Sequence, residues 1–217
     1  MKNIANDYRR LFTEWAFIRR VLMSLVLLFG SFFVNYFAGT YASQLASNPV
    51  TDIILSNTRT YDLDGTFVYG IFALVCFVGV LCLEKPQRIP FVLKASALFA
   101  LIRSAFIVLT HIAPYPGHAI IDPSSWMNEF SFGADLFFSG HTGLPFLMAF
   151  IFWDDIRLRA FFMAASVFFG IVVLLAHLHY SIDVLAAFFI TYSIYHIAVA
   201  AFPKDFRLFH GMPLSEI

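Results

Sequence analysis

Two strings place bases and a carboxylate beside apolar segments: Ser139-Gly140-His141-Thr142 and His179-Tyr180-Ser181-Ile182-Asp183. Together they hold two imidazoles and one carboxylate, the minimum set for moving a phosphoryl group through a covalent histidine intermediate. His179 and Asp183 are spaced i,i+4, which on a helical turn puts both on one face. The carboxylate can then hold one imidazole N–H, fix the tautomer and leave the other nitrogen to attack phosphorus. Alone, such a pair is more often a structural hydrogen bond at a helix end.

The first string changes the balance. It stands where a polar loop enters an apolar run, so backbone N–H groups and the helix dipole can cradle an anion there. Gly140 permits close approach to phosphate oxygens, and the hydroxyls of Ser139 and Thr142 can donate to them. His141 is then placed to protonate a leaving oxygen as general acid. Arg103 lies inside another apolar run, where a charge costs at least ~2.5 kcal/mol on insertion scales, and a guanidinium grips phosphate oxygens in pairs.

These groups need a scaffold, and the composition allows one kind. Of 217 residues, 60% are hydrophobic and 13% charged, and the mean hydropathy is +0.78, which a soluble globule could not bury. Six runs are long enough to span, approximately Val21 to Ala42, Thr66 to Leu83, Phe91 to Ala113, Leu136 to Trp153, Ala160 to Leu178 and Ile182 to Ala201. The runs are continuous, without the period-two alternation of a membrane barrel, so the expected fold is an all-α, six-transmembrane-helix bundle. It is expected to follow an interfacial segment at 1–20, to occupy 21–201 and to end in a tail at 202–217. Leu11, Phe12, Trp15 and Ile18 among Arg9, Arg10, Arg19 and Arg20 fit an interfacial helix or a plain topology anchor.

Lys2, Arg9, Arg10, Arg19, Arg20, Lys85, Arg88, Lys94, Arg157, Arg159, Lys204 and Arg207 all fall on one side of that bundle, leaving Arg59 and Arg103 as the exceptions. The positive-inside rule then puts both termini in the cytoplasm and both strings toward the periplasmic or exoplasmic face. The compact form points to a bacterial inner membrane. Counting helix rise from the cytoplasmic ends puts Arg103 and His141 about 20 Å up and His179 and Asp183 about 27 Å, an offset within reach of helix tilt. Pro145 is expected in the first turn of its helix, where a missing N–H costs little.

Loop one, about Ser43 to Gly65, and loop two, about Pro114 to Asp135, are long enough to fold over a site. Trp126, Phe130 and Phe132 make loop two a lid or an interfacial belt. Asp52, Asp62 and Asp64 are candidates for a cationic headgroup or ordinary solvated carboxylates. Cys76 and Cys82 share one span and offer neither a disulfide nor a metal site, and a formal net charge of zero gives no reason to expect nucleic acid.

From Arg103 to His196 the chain resembles the type 2 phosphatidic acid phosphatase (PAP2) superfamily, and within it the sphingomyelin synthase-like branch. Phe138 stands where the lipid phosphatases have proline before Ser-Gly-His, and Leu174-Leu175 where they have Ser-Arg. The synthase pattern is matched by Asp135 followed after three residues by Ser139-Gly140-His141-Thr142, and by Ala176-His177-Leu178-His179-Tyr180-Ser181-Ile182-Asp183-Val184. Arg103, Thr110 and Pro114-Tyr115-Pro116-Gly117 follow the same pattern, and Tyr195-His196 does so more loosely.

The resemblance implies that His179 is the nucleophile, Asp183 its orienter, and His141 the acid that later becomes the base. It implies substrate contacts from Arg103, Asp135, Ser139, Gly140, Thr142 and Tyr180, with no metal and no cofactor. A headgroup would pass from a phospholipid donor to a lipid hydroxyl such as that of ceramide or diacylglycerol. The alternative is a lipid phosphate phosphatase with water as acceptor; a non-catalytic lipid transporter is more remote, since paired repeats with broken helices are not found.

Overall fold

The computed structural model describes residues 4–117 and 137–216, and every regular element in them is helical. The order is α1 (Ile4–Thr13), α2 (Trp15–Gln44), α3 (Asp64–Glu84), α4 (Ile89–Leu109), α5 (Gly140–Ile151), α6 (Ile156–Leu175), α7 (Ser181–Ala201) and α8 (Pro203–Phe209). Short 3-10 turns at Leu55–Asn57, Pro86–Arg88 and Leu214–Glu216 complete it. The lid candidates Trp126, Phe130 and Phe132, and with them His118 and Asp135, lie outside the described residues.

Among the described residues, five stretches are long and apolar enough to cross a membrane: Trp15–Gln44, Asp64–Glu84, Pro86–Leu109, Ile156–Leu175 and Ser181–Ala201. They point to an integral membrane protein. Val26, Phe29 and Phe33 on α2 are 72, 66 and 66% exposed, an outward apolar surface that only lipid would cover. The run expected as a fourth span holds a shorter helix, α5, of 12 residues.

The helix ends are set by local chemistry rather than by hydropathy. α2 starts at Trp15 instead of Val21 and runs 30 residues, about 45 Å, so its first turns with Arg19 and Arg20 overshoot a hydrocarbon core about 30 Å thick. α4 ends at Leu109 rather than Ala113, because the chain turns extended at Thr110, whose hydroxyl donates back to the Phe106 carbonyl at 2.9 Å. α5 opens at Gly140 because the Ser139 side chain caps it, accepting the Thr142 N–H at 3.3 Å. Pro145 is the sixth residue of α5, deeper than expected, and cannot donate to the His141 carbonyl. α6 begins where Asp155 accepts the Arg157 and Leu158 N–H groups at 3.0 and 3.2 Å, and it ends at Leu175 rather than Leu178.

α4 packs along α2, while α5 sits against α6 and α7. Gly143 makes the junction of α4, α5 and α7 possible: a Cβ there would lie 2.8 Å from the Phe99 ring and 2.8 Å from Thr191 Oγ1. Phe91, Phe138, Leu147, Phe162 and Ala187, all fully buried, belong to the one core cluster that runs along these helices.

At the end where α4 and α6 begin, Asp205 of α8 receives Lys94 Nζ at 2.6 Å and Arg20 Nη1 at 2.9 Å. Lys94 and Asp205 are 6 and 3% exposed, so this pair ties α2, α4 and α8 together away from water. Leu11 of α1 is buried with Phe17 and Leu208 at the same end.

Candidate active site

At the opposite end, α5 and α7 both begin with a capped turn, and the caps carry the candidate residues. Asp183 is the third residue of α7, and its Oδ2 accepts the backbone N–H of Tyr180 at 2.9 Å. His179 therefore precedes the helix instead of sharing a helical face with Asp183. Its Nδ1 lies 3.6 Å from the same Oδ2, an electrostatic contact slightly longer than a hydrogen bond. One carboxylate oxygen thus closes the helix and faces the imidazole. Asp183 also links the two strings, because its carbonyl accepts the Ser139 N–H at 3.2 Å.

Arg103 of α4 is 8% exposed and donates from Nε to the Phe138 carbonyl at 3.1 Å. A Cβ on Gly140 would lie 3.4 Å from that Nε, so the backbone at the α5 N-terminus rests on the guanidinium. His141 stacks on Phe67 of α3 with ring centroids 3.7 Å apart and 21° between planes. Its Nε2 is buried with no hydrogen-bond partner among the described residues. A buried imidazole nitrogen left in this way is what a site awaiting a polar ligand would show.

Arg103, Gly140, His141 and His179 line one cavity of about 440 Å³. The height offset counted from the sequence is absorbed, since α6 stops three residues early and His179 sits in the turn behind it. Ser139, Thr142 and Tyr180 are not in the cavity wall. Ser139 Oγ caps α5, and Thr142 faces α6, its carbonyl accepting from Ser166 Oγ at 2.7 Å. Tyr180 points into loop one, with its hydroxyl donating to the Ala113 carbonyl at 2.8 Å and accepting from Val50 N at 3.3 Å. Asp135 lies outside the described residues.

Loop one holds the His179 turn through residues that no local motif marks. Asp52, a candidate headgroup contact, is buried and fully engaged: Oδ1 accepts from Ile54 N and Leu55 N at 2.9 and 3.1 Å. Its Oδ2 accepts from Ser181 N and Ser181 Oγ at 2.7 and 2.8 Å. His177, 5% exposed, stands between two threonines, with Nε2 3.2 Å from Thr58 Oγ1 and Nδ1 3.1 Å from Thr60 Oγ1. Thr58 and Thr60 also donate to the Ile54 and Gly117 carbonyls at 3.0 and 2.9 Å, so both ring nitrogens face hydroxyls that loop one itself holds in place.

His177 has φ +56°, a left-handed conformation costing roughly 1–3 kcal/mol for a bulky side chain. The two threonine bonds offset that strain. Burial lowers its pKa, with Asp52 acting the other way. No pattern in the sequence marks Asp52 or the threonines, because Ser181 and His177, which they hold, lie more than a hundred residues away.

Burial pushes the Asp52 carboxyl up, but its hydrogen bonds from Ser181, Leu55 and Ile54 outweigh that and hold it below the ordinary value. A depressed folded pKa means the clamp contributes fully above the unfolded value, about 3.9, and is lost only as pH falls through the lower folded one. Asp52→Asn should fail at every pH, since whichever edge receives the amide N–H₂ faces two donors. Hydrogen exchange at Ser181 and Leu55 should be protected in the parent from pH 5 to 8, and at least one of the two should accelerate by about tenfold or more in the variant. Equal exchange in both proteins would show that the carboxylate is dispensable.

Among the described residues, no three His, Cys, Asp or Glu side chains gather as a metal site, and Cys76 and Cys82 are free thiols. Residues 133–200, from just before α5 to near the end of α7, match a family model described as PAP2 superfamily C-terminal. The match supports the PAP2 superfamily, whose members are typically phosphatases or phosphotransferases of lipid phosphates. No curated protein matches the chain.

Proposed function

We propose that this chain is an integral membrane lipid phosphotransferase, moving a phosphorylated headgroup from a phospholipid through a phosphohistidine at His179 to a lipid hydroxyl. The model is the sphingomyelin or ceramide phosphoethanolamine synthase, whose sequence pattern the chain resembles. The reading rests on one observation: His141, His179 and Arg103 line a single, otherwise mostly apolar cavity.

In the first step the lone pair on His179 Nε2 attacks phosphorus while Nδ1–H faces Asp183, which stabilises the cationic adduct. The bond from phosphorus to the lipid oxygen breaks, and His141 Nε2–H gives its proton to that oxygen. In the second step the acceptor hydroxyl loses its proton to His141, its oxygen bonds to phosphorus, and the phosphorus–nitrogen bond breaks. Arg103 and the α5 N-terminus balance the phosphoryl charge. Ser139, Thr142 and Tyr180 act by holding the two turns, and Asp135 is retained as a substrate contact from the resemblance. The distribution of basic residues argues for a site open to the periplasmic or exoplasmic side.

A lipid acceptor is favoured over water because Phe67, Phe99, Leu144 and Met148 share the wall with the histidines, and apolar cavities stay dry. The test is incubation of the purified chain with labelled phosphatidylcholine, phosphatidylethanolamine and phosphatidylglycerol, with and without ceramide or diacylglycerol, and product identification by mass spectrometry. A new phospholipid that needs the added acceptor is expected. Free phosphate or phosphoalcohol whatever the acceptor would make the chain a phosphatase; no headgroup release from any lipid would overturn both.

A further inference from the structure

The cavity continues well past the two histidines. Along α4 it reaches from Arg103 to Val92, about 16 Å of helix rise at 1.5 Å per residue. Along α3 it extends from Phe67 to Cys82. Half of a hydrocarbon core about 30 Å thick is about 15 Å, the depth one acyl chain occupies in its leaflet. The ionisable nitrogen groups sit at one end only, where a phosphate would be; Asn35 is level with them, receiving Ser104 Oγ at 3.4 Å, and Ser96 lies farther in.

The cavity also has a side entrance. α2 and α3 make little contact with each other, and Phe32 of α2 and Val75 of α3, which both line the cavity, are 55 and 50% exposed. Hydrocarbon from the bilayer can pass between those helices. At the deep end stands Gly79, which lines the cavity with Val78 and Cys82. A Cβ at Gly79 would meet nothing within 4 Å, so a side chain there would project into open space instead of being forced onto a neighbour.

Resting on the lipid phosphotransfer reading above, we propose that this cavity takes one acyl chain of the reacting lipid through the slot between α2 and α3, and that Gly79 sets the length of chain it takes. A larger residue at 79 shortens the space and leaves the phosphate end untouched, about three turns of α3 above.

Two measurements on the purified full chain test this. Hexadecyl phosphate carrying a diazirine on its terminal carbon should, on illumination, label α3 between Val75 and Cys82. Gly79→Phe should cut that label at least about tenfold. In mixed micelles of phosphatidylcholine and phosphatidylethanolamine with eight-carbon or sixteen-carbon chains, Gly79→Phe should lower the ratio of long-chain to short-chain turnover by about tenfold, and Gly79→Val by less. Short-chain turnover within about twofold of the parent reports an intact fold, and Gly79→Val serves if Gly79→Phe does not fold. An unchanged chain-length ratio, or label spread evenly over the helices, overturns the proposal. Labelling does not depend on turnover, so a parent labelled at 75–82 yet inert on every lipid would sink the proposed activity and leave the chain site standing.

Discussion

His179→Ala should reduce lipid headgroup turnover by about 10³-fold or more, with no phosphorylated protein detectable after a rapid acid quench. The expectation follows from the position of His179, next to the cavity and 3.6 Å from the Asp183 carboxylate. His141→Ala should cost about 10²- to 10⁴-fold, in the range of a lost general acid. The two variants separate when the leaving group changes. A phosphodiester that releases nitrophenolate needs no proton, so His141→Ala should recover most of its first step and then accumulate phosphohistidine, lacking a base for the second. His179→Ala should stay inactive on both substrates. Undiminished turnover in His179→Ala would dispose of the covalent mechanism altogether.

The largest effect on stability is expected far from that site. Asp205→Ala would leave the buried Lys94 ammonium and the Arg20 guanidinium without the carboxylate oxygens they now hold at 2.6 and 2.9 Å. Breaking a buried pair by removing one partner typically costs about 3–5 kcal/mol, since the remaining charge stays desolvated. Unfolding titrations in mixed micelles should show a loss of that order, and combining Asp205→Leu with Lys94→Met should restore most of it. A loss of less than about 1 kcal/mol for Asp205→Ala would mean that water reaches Lys94.

Much of this arrangement was legible in the sequence, because apolar runs and helix-entry motifs are local signals. Five of the expected spans coincide with long helices, and α5 opens at the Ser139-Gly140-His141 string, where the loop is expected to enter a helix. The reading faltered where tertiary partners decide. The i,i+4 spacing of His179 and Asp183 implied a helical face, yet the left-handed His177 ends the preceding helix and puts His179 outside the next one. Proximity makes Thr142 a candidate phosphate donor, but the first turn of α5 sets its hydroxyl against Gly170 of α6, where a Cβ would lie 3.5 Å from Oγ1. Asp52 was indistinguishable from Asp62 and Asp64 until the fold brought Ser181 to it. Hydropathy counts residues and has no term for a cap, so it does not mark the capped starts of α5 at Ser139 and of α6 at Asp155.

The brevity of α5 reaches beyond the protein itself. Twelve residues rise about 18 Å, some 12 Å less than a hydrocarbon layer about 30 Å thick. With its far end at one edge of that layer, the turn bearing His141 stands short of the other edge, and under the proposed transfer a lipid descends to meet it. A thinner bilayer shortens that descent, so under that proposal the surrounding membrane sets the rate: chain length or saturation changes throughput with every side chain unaltered.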